Sequence, residues 1–301
     1  MPAKVADSLR SQALRAFQLP LVPQRIEELP SPLDGVVAAR VHAPSGRFLL
    51  ICSEGPLGLA FEATLFDLLA EAHFPAPRPR RPLGGSLIAM LARAPGDPNP
   101  GPAAASCYAW PPGDSLAPAD ASTPQQLELG RLLARLHLLG EAHPASVPDS
   151  TSGLELAGQL PGVPQAEALK SVLGAGLPSL PLGALHGALA PGRALFVGAR
   201  CSAILPGGCS CSGRLVLDLA DALCCWALVL ERPLPALRAV VSGYQAVRRL
   251  GAEERGSLFA ALRFAAARAG ARRLCLGEPA PLALLTAVDA LGEAEVRAAA
   301  G

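Results

Sequence analysis

The chain has 301 residues, half of them hydrophobic, and its 26 Lys and Arg against 25 Asp and Glu give a formal net charge of +1. This balance gives no electrostatic reason to expect nucleic acid or an anionic membrane surface as a partner. Glycine contributes 30 residues and proline 31, a share below the roughly 25–30% typical of low-complexity chains, so global disorder is excluded. Lysine occurs twice and asparagine once, at Asn99, which leaves few candidates for a buried lysine or an asparagine ligand.

The first third of the chain predicts one short helix followed by a small β-rich unit. Residues 5–17 have the spacing of an amphipathic helix that docks by its apolar face. Two apolar runs, 36–42 and 47–52, flank a turn with proline and glycine, which is typical of a hairpin. A helical period begins at Phe61 and continues to residue 72. Further strands of the same sheet are predicted at 86–91 and 103–109.

After a joint rich in proline and glycine at 95–123, the pattern becomes mainly helical. A helix is predicted at 125–139, and 144–164 has the composition of a linker. Short strands and turns are expected over 185–217, followed by helices at 218–231, 238–249 and 253–269. Neither a membrane span nor a secretory signal is predicted. The eight cysteines lack the spacing of a disulfide framework, so we expect a cytoplasmic protein.

Several segments together resemble one family, the aminoglycoside-phosphotransferase-like small-molecule kinases. The sequence GRLLARLH at 130–137 is similar to their G-x-x-L-A-x-L-H helix, and LHGALAPGRALF at 185–196 resembles their catalytic loop. The strand SAILP at 202–206 and the helix start DLA at 218–220 resemble the metal-binding strand and the helix that follow. Shorter segments resemble the bacterial homoserine kinase branch at 74–79, 243–248 and 261–264.

The resemblance implies an α+β, bilobal protein-kinase-like fold. It divides the chain into an N-terminal helix and extension at 1–30, an N-lobe with an antiparallel sheet and one helix at 31–112, and a helical C-lobe with remnant catalytic and metal loops at 113–301. In this family the loop histidine packs beneath the active site, and the helix aspartate accepts hydrogen bonds from the catalytic loop. His186 and Asp218 match those positions, and we expect Glu62 to belong to the same scaffold.

The departures from the family pattern lie at the chemical centre. The family's catalytic Asp aligns with Ala188, and its two metal ligands, an Asn and an Asp, align with Arg193 and Pro206. The lysine often found on the second hairpin strand is absent near Ile51. Residues 168–217 contain neither Asp nor Glu, whereas magnesium sites use carboxylates. We therefore assign no catalytic residue and expect no metal or cofactor.

Three residues near the expected cleft remain candidate ligand-binding groups. Arg193 could hold a phosphate or carboxylate without metal, or could be a solvated surface arginine. By family topology, Asp114 and Asp221 are the nearest spare carboxylates, and either could supply a displaced base or metal ligand. Five cysteines close in sequence are expected to be buried structural thiols, with a soft-metal or redox site as the alternative: Cys201, Cys209, Cys211, Cys224 and Cys225.

The sequence thus predicts a non-catalytic kinase-like protein, a pseudokinase, that binds a protein or peptide partner or a small anionic ligand. The alternative is an ATP- and magnesium-dependent phosphotransferase that acts on the hydroxyl group of a small molecule or peptide through atypical active-site residues. A third hypothesis is a subunit that presents a substrate to a separate enzyme. Neither nucleic acid nor a membrane is expected as a partner.

Overall fold

A computed structural model describes residues 3–30, 35–93, 101–143, 157, 158, 160 and 162–301. Asn99 and most of the predicted linker at 144–164 lie outside these residues. The described ranges contain a lobe built on a sheet and a mainly helical lobe, which confirms the predicted α+β class.

The first lobe is built on a five-stranded antiparallel sheet with the order β1-β2-β3-β5-β4. Its strands are β1 (Arg25–Leu29), β2 (Val36–Ala43), β3 (Gly46–Ser53), β4 (Ala89–Leu91) and β5 (Ala103–Ala109). The predicted hairpin is confirmed, with β2 and β3 paired from Val36 opposite Ser53 to Ala43 opposite Gly46. β1 pairs with β2, so the segment 1–30, predicted as a helix and extension, also supplies an edge strand of the sheet.

One face of this sheet is covered by α1 (Ala3–Ala16), as its amphipathic pattern predicts. Leu9 and Leu14 of the helix are buried in a cluster with Phe48 and Leu50 of β3. Because side chains alternate across a strand, the intervening residues of β3 face the opposite side of the sheet. That opposite side is the one that faces the second lobe.

The opposite face is covered by α2 (Pro56–Glu71), whose Phe66 packs in a cluster with Leu49 and Ile51 of β3. The helix begins before the predicted start at residue 61. Pro56 occupies its first turn, where a missing N–H costs no hydrogen bond. The apolar period that begins at Phe61 reports the face that packs into the second lobe, whereas Leu59, before that start, packs against the sheet.

The second lobe combines two small sheets with a set of packed helices. Its strands are β6 (Asp114–Ser115), β7 (Leu182–Leu185), β8 (Ala194–Val197), β9 (Arg200–Ile204) and β10 (Cys211–Arg214), arranged as β6-β8-β9 and β7-β10. Its helices are α3 (Thr123–Gly140), α4 (Pro164–Ala175), α5 (Leu215–Trp226), α6 (Pro233–Gln245), α7 (Ala252–Cys275) and α8 (Ala283–Ala300). Of the helices in the described ranges, none is long and apolar enough to cross a membrane.

The sequence pattern does not predict α4 or α8. α4 is short and lies in a segment rich in glycine and proline. α8 is kinked at Gly292, which takes a positive φ of 75° and interrupts the helical period. Both helices pack against α7, so tertiary contacts stabilise them where local propensity is weak.

α3 and α6 cross in direct backbone contact. A Cβ atom at Gly130 of α3 would lie 2.0 Å from the carbonyl oxygen of Val240. A Cβ atom at Gly243 of α6 would lie 2.0 Å from the carbonyl oxygen of Leu127. Glycine is therefore required on both helices, and the crossing fixes the position of His137 in the last turn of α3.

Candidate active site

A single buried carboxylate holds the loop that follows β7. Asp218, in the first turn of α5, accepts hydrogen bonds from the backbone N–H groups of His186 at 2.8 Å and Gly187 at 2.9 Å. His137 donates through Nε2 to the same carboxylate at 3.0 Å. Burial alone would raise the pKa of Asp218, but the hydrogen bond and charge of His137, together with His186 and Gly187, hold that pKa below its usual range. Asp218 is thus a structural anion.

His186 ties this loop to the segment that follows β9. Its Nε2 donates to the carbonyl oxygen of Leu205 at 2.9 Å, so its Nδ1 accepts from the N–H of Ala188 at 3.3 Å. Burial lowers the pKa of His186, even though the Asp218 carboxylate opposes the shift. With both ring nitrogens engaged, the neutral ring positions the loop and is not placed to act as a base.

The expected catalytic-base position carries no ionisable group. Ala188 is half-buried and presents only a methyl group. Gly187, which precedes it, takes a positive φ of 80°, and a Cβ atom there would lie 2.2 Å from the carbonyl oxygen of Cys209. The chain therefore keeps a tightly constrained turn at this loop without the acid that the family pattern places in it.

The first expected metal position is filled by a buried guanidinium. Arg193 ends a 3-10 turn and is only 4% exposed, so it is not a solvated surface arginine. Its Nη1 donates to the carbonyl oxygen of Pro206 at 3.2 Å, and its Nη2 donates to that of Pro30 at 2.8 Å. Burial lowers the pKa of Arg193, and the nearby Glu62 opposes this shift. An arginine remains a cation in such a site.

A second buried carboxylate, Glu62 of α2, binds the loop that follows β9. Backbone N–H groups of four consecutive residues donate to it at 2.8 to 3.3 Å, from Gly207, Gly208, Cys209 and Ser210. The Ser210 hydroxyl also donates to this carboxylate, at 2.9 Å. A run of converging N–H groups is an anion-binding nest, here called the 207–210 nest. Glu62 thus fills this nest from within the chain, next to Pro206.

The 207–210 nest lies directly against the sheet of the first lobe. Gly208 takes a positive φ of 77°, and a Cβ atom there would lie 2.6 Å from Val36 Cγ1 and 3.1 Å from Ile51 Cγ2. Leu205 is buried in one cluster with the same two residues. At this point the chain itself occupies the space between the sheet and the second lobe.

The two spare carboxylates have other environments. Asp114 is exposed on β6, where its backbone pairs with Phe196 of β8. Asp221 lies one turn after Asp218 in α5 and forms an ion pair with Arg268 of α7. Asp221 therefore joins two helices of the second lobe, and Asp114 lies on its surface.

The residues at the expected metal positions do not fit magnesium. Mg²⁺ takes oxygen ligands, whereas these positions hold the Arg193 guanidinium and a proline whose carbonyl oxygen already accepts from it. In the part of the chain that the structure describes, no three His, Cys, Asp or Glu side chains cluster as ligands for a metal ion. Burial raises the pKa of Cys201 and Cys225 to about 12, which favours buried thiols over thiolate ligands.

Comparisons with known proteins identify the family. The profile described as "Phosphotransferase enzyme family" matches residues 39–259. The chain belongs to this family. It is 28% identical over 235 residues to a homoserine kinase of Rhizobium meliloti, covering 71% of this chain and 68% of the relative. It is 31% identical over 246 residues to a homoserine kinase of Xanthobacter autotrophicus, covering 76% of this chain and 73% of the relative.

The fold of this phosphotransferase-family chain agrees with that assignment. A solved amicoumacin kinase, in complex with AMP-PNP and Ca²⁺, has a TM-score of 0.68 at 13% identity, covering 92% of this chain and 89% of that one. The predicted bilobal, protein-kinase-like fold is thereby confirmed. Members of this family transfer a phosphoryl group to a hydroxyl group. The question for this chain is whether the side chains of Ala188, Arg193 and Pro206 can support that reaction.

Proposed function

We propose that this family member is non-catalytic, a pseudokinase that works by binding. The observation that carries the proposal is the buried guanidinium of Arg193 at an expected metal position, with its donors on the carbonyl oxygens of Pro206 and Pro30. A cation fixed at that position would repel a divalent metal. It also engages the backbone of Pro206, the residue at the other expected metal position.

The chemistry of phosphoryl transfer supports the same conclusion. Kinases of this fold rely on an Asp that accepts the substrate's proton and on metal ions that neutralise charge on the transferred phosphate. A general base alone contributes typically 10²- to 10⁴-fold to a rate. The methyl group of Ala188 cannot accept a proton, and Pro206 offers no side-chain oxygen.

A protein or peptide is the partner we propose. The burial of Arg193 supports this choice over a small anionic ligand at that residue, because an incoming anion would have to displace the two carbonyl oxygens. The eight cysteines, all within the described residues, form no disulfide bond, which is compatible with the reducing cytoplasm that we propose as the compartment. The retained Asp218 framework keeps the second lobe folded as a platform for binding.

Thermal unfolding with and without ATP and magnesium tests the proposal. A ligand present at one hundred times its Kd stabilises a protein by about 2.7 kcal/mol, which a melting curve resolves. We expect no magnesium-dependent rise in Tm and no phosphate transfer from ATP to homoserine. A magnesium-dependent rise, or turnover by the purified chain, would overturn the proposal.

A converse experiment restores the family residues. The triple variant Ala188→Asp, Arg193→Asn and Pro206→Asp reinstates the base and both metal ligands. We expect magnesium-dependent ATP binding to appear in the variant and to be absent in the wild type. If the wild type already transfers phosphate and the variant does no better, the assignment of these three positions is wrong.

The second candidate function is an ATP- and magnesium-dependent phosphotransferase. The observation that favours it is that the relatives compared above are homoserine kinases. Its acceptor would be the hydroxyl group of a small molecule such as homoserine. Because residues 168–217 supply no carboxylate, the base would have to come from outside that segment. Asp114→Asn or Asp221→Asn should then abolish turnover, whereas a non-catalytic protein has no turnover to lose.

A further inference from the structure

The two buried charges of the cleft come from different lobes, and each is bound by the other lobe. Glu62 reaches from α2 of the first lobe to the 207–210 nest of the second lobe. Arg193 reaches from the second lobe to the carbonyl oxygen of Pro30, which follows β1 of the first lobe. We propose that Glu62, Arg193 and these backbone partners form an interlobe latch that keeps the cleft closed without nucleotide or metal.

Burial makes the latch stronger than a surface ion pair. Glu62 is fully buried, and Arg193 is 4% exposed. A charge in such a place is stable only when it is paired and hydrogen-bonded. Separation of the lobes would remove all the nest donors from Glu62 and the Pro30 acceptor from Arg193, so both halves would break together. Hydrogen bonds to charged groups are about twice as strong as neutral ones.

The two lobes also pack closely against each other at the latch. Gly208 has its backbone against Val36 and Ile51, where no Cβ atom would fit. The latch therefore holds two surfaces that are already complementary in shape. It goes beyond the proposed function, because a non-catalytic protein could equally have two lobes that open freely.

The latch is tested by substitution of Arg193 and measurement of backbone amide hydrogen exchange elsewhere in the joint between the lobes. Arg193→Met keeps an unbranched apolar side chain but removes the guanidinium with its charge and donors. The amides of Gly208 and Ser210 donate to Glu62, and the amide of Ile204 donates to the carbonyl oxygen of Pro75 in the first lobe. Because Arg193 binds Pro206 beside the nest, a purely local role could loosen the first two amides but would leave that of Ile204 unchanged. A latch requires all three to exchange about tenfold faster or more, since the lobes then open more often.

Arg214→Met is the matched control. Arg214 also donates to two backbone carbonyl oxygens, those of Pro178 at 3.0 Å and Leu177 at 3.3 Å, but both acceptors lie in the second lobe. We expect this variant to leave the exchange of Gly208 and Ser210 unchanged. Equal acceleration by both arginine variants would mean general destabilisation and would overturn the latch.

The reciprocal variant is Glu62→Gln, read at the amide of Ile204, which donates to the carbonyl oxygen of Pro75 in the first lobe. We expect faster exchange of that proton and no such change in Glu254→Gln. Glu254 is a comparably buried carboxylate, but its partners, Arg248 and the N–H of Gly251, lie within the second lobe. Unchanged exchange at Ile204 in Glu62→Gln would contradict the proposal.

The wild type provides a test that does not depend on a variant that folds. A closed latch requires the amides of Gly208 and Ser210 to exchange as slowly as those of β3, the central strand between β2 and β5. Exchange as rapid as in exposed loops would overturn the latch. None of these readouts involves ATP, so a failed latch and a failed pseudokinase proposal are distinguishable: phosphate transfer by the wild type overturns only the latter.

Discussion

Asp218 and Glu62 are both fully buried carboxylates that bind backbone N–H groups, yet they organise different parts of the molecule. Asp218 binds two N–H groups and His137, all within the second lobe. Glu62 binds the four N–H groups of the 207–210 nest, which belong to the opposite lobe. The first arrangement shapes the loop that follows β7, and the second occupies the place next to it where the family pattern leads us to expect phosphate and metal chemistry.

In this fold, the residues that order the loop after β7 are different from those at the positions expected to carry the reaction. The Asp218 network needs no base at Ala188 and no metal at Arg193, because its bonds go to backbone groups and to a buried histidine. The loop can therefore be ordered whether or not a base and metal ligands are present. Its preservation is no indication of activity.

Removal of the Asp218 carboxylate is the largest expected perturbation. Asp218→Ala leaves two buried N–H groups and His137 without their acceptor, and loss of one partner of a buried charged pair costs about 3–5 kcal/mol. Urea unfolding measures the loss of free energy. Asp289→Ala is the control, since Asp289 pairs with Arg263 at the surface, and we expect a change within about 0.5 kcal/mol. Equal effects of the two substitutions would contradict the structural role of Asp218.

A smaller effect is expected where the two regions touch. Gly187 donates to Asp218 and approaches Cys209 of the nest, so Gly187→Ala forces a Cβ atom to 2.2 Å from a carbonyl oxygen. Overpacking of this kind costs typically about 1–3 kcal/mol, in addition to strain from the positive φ. Gly198→Ala controls for that strain, because Gly198 has a positive φ of 60° and nothing within 4 Å. Differential scanning calorimetry should show a lower Tm for Gly187→Ala than for Gly198→Ala.

The smallest effect is a dependence of stability on pH. The folded-state pKa of His186 lies below its ordinary value of 6.5, so the unfolded chain binds more protons below that pH and stability falls as pH falls. For one such group the slope is at most about 1.4 kcal/mol per pH unit. Asp218, whose pKa is also lowered, contributes stability above its ordinary value of 3.8 that is lost on further acidification. Urea titrations between pH 7 and pH 5 should show the first loss in the wild type and a smaller slope in His186→Gln.

Local signals in the sequence were sufficient for much of the fold. The hairpin around Gly46, helix α3 and the loop at His186 follow from turn residues, apolar spacing and a motif of adjacent residues. The α4 and α8 helices could not be found in this way, because their stability depends on packing against α7. Periodicity reports the face that a helix buries, and a short or kinked helix gives a weak signal.

In the candidate site, too, the sequence predicts what a local motif carries and misses what depends on tertiary contacts. The motif points to Ala188, Arg193 and Pro206 as the substituted positions, but it does not show that Arg193 is buried or that Pro30 accepts from it. Pro30 and Arg193 are far apart in sequence, and a backbone carbonyl has no residue signature. The 207–210 nest escapes detection for the same reason, since N–H groups are common to every residue except proline. Only the paired glycines at 207 and 208 hint at an unusual backbone there.

The Arg193 guanidinium differs from a bound ion in one further respect. A metal ion occupies its site in proportion to its concentration, and a chelator can withdraw it. Arg193 is covalently part of the chain, so its place between Pro30 and Pro206 does not depend on the concentration of a free ligand. The charge at this point of the cleft is therefore insensitive to the supply of divalent cations, and EDTA should leave both the fold and its melting curve unchanged.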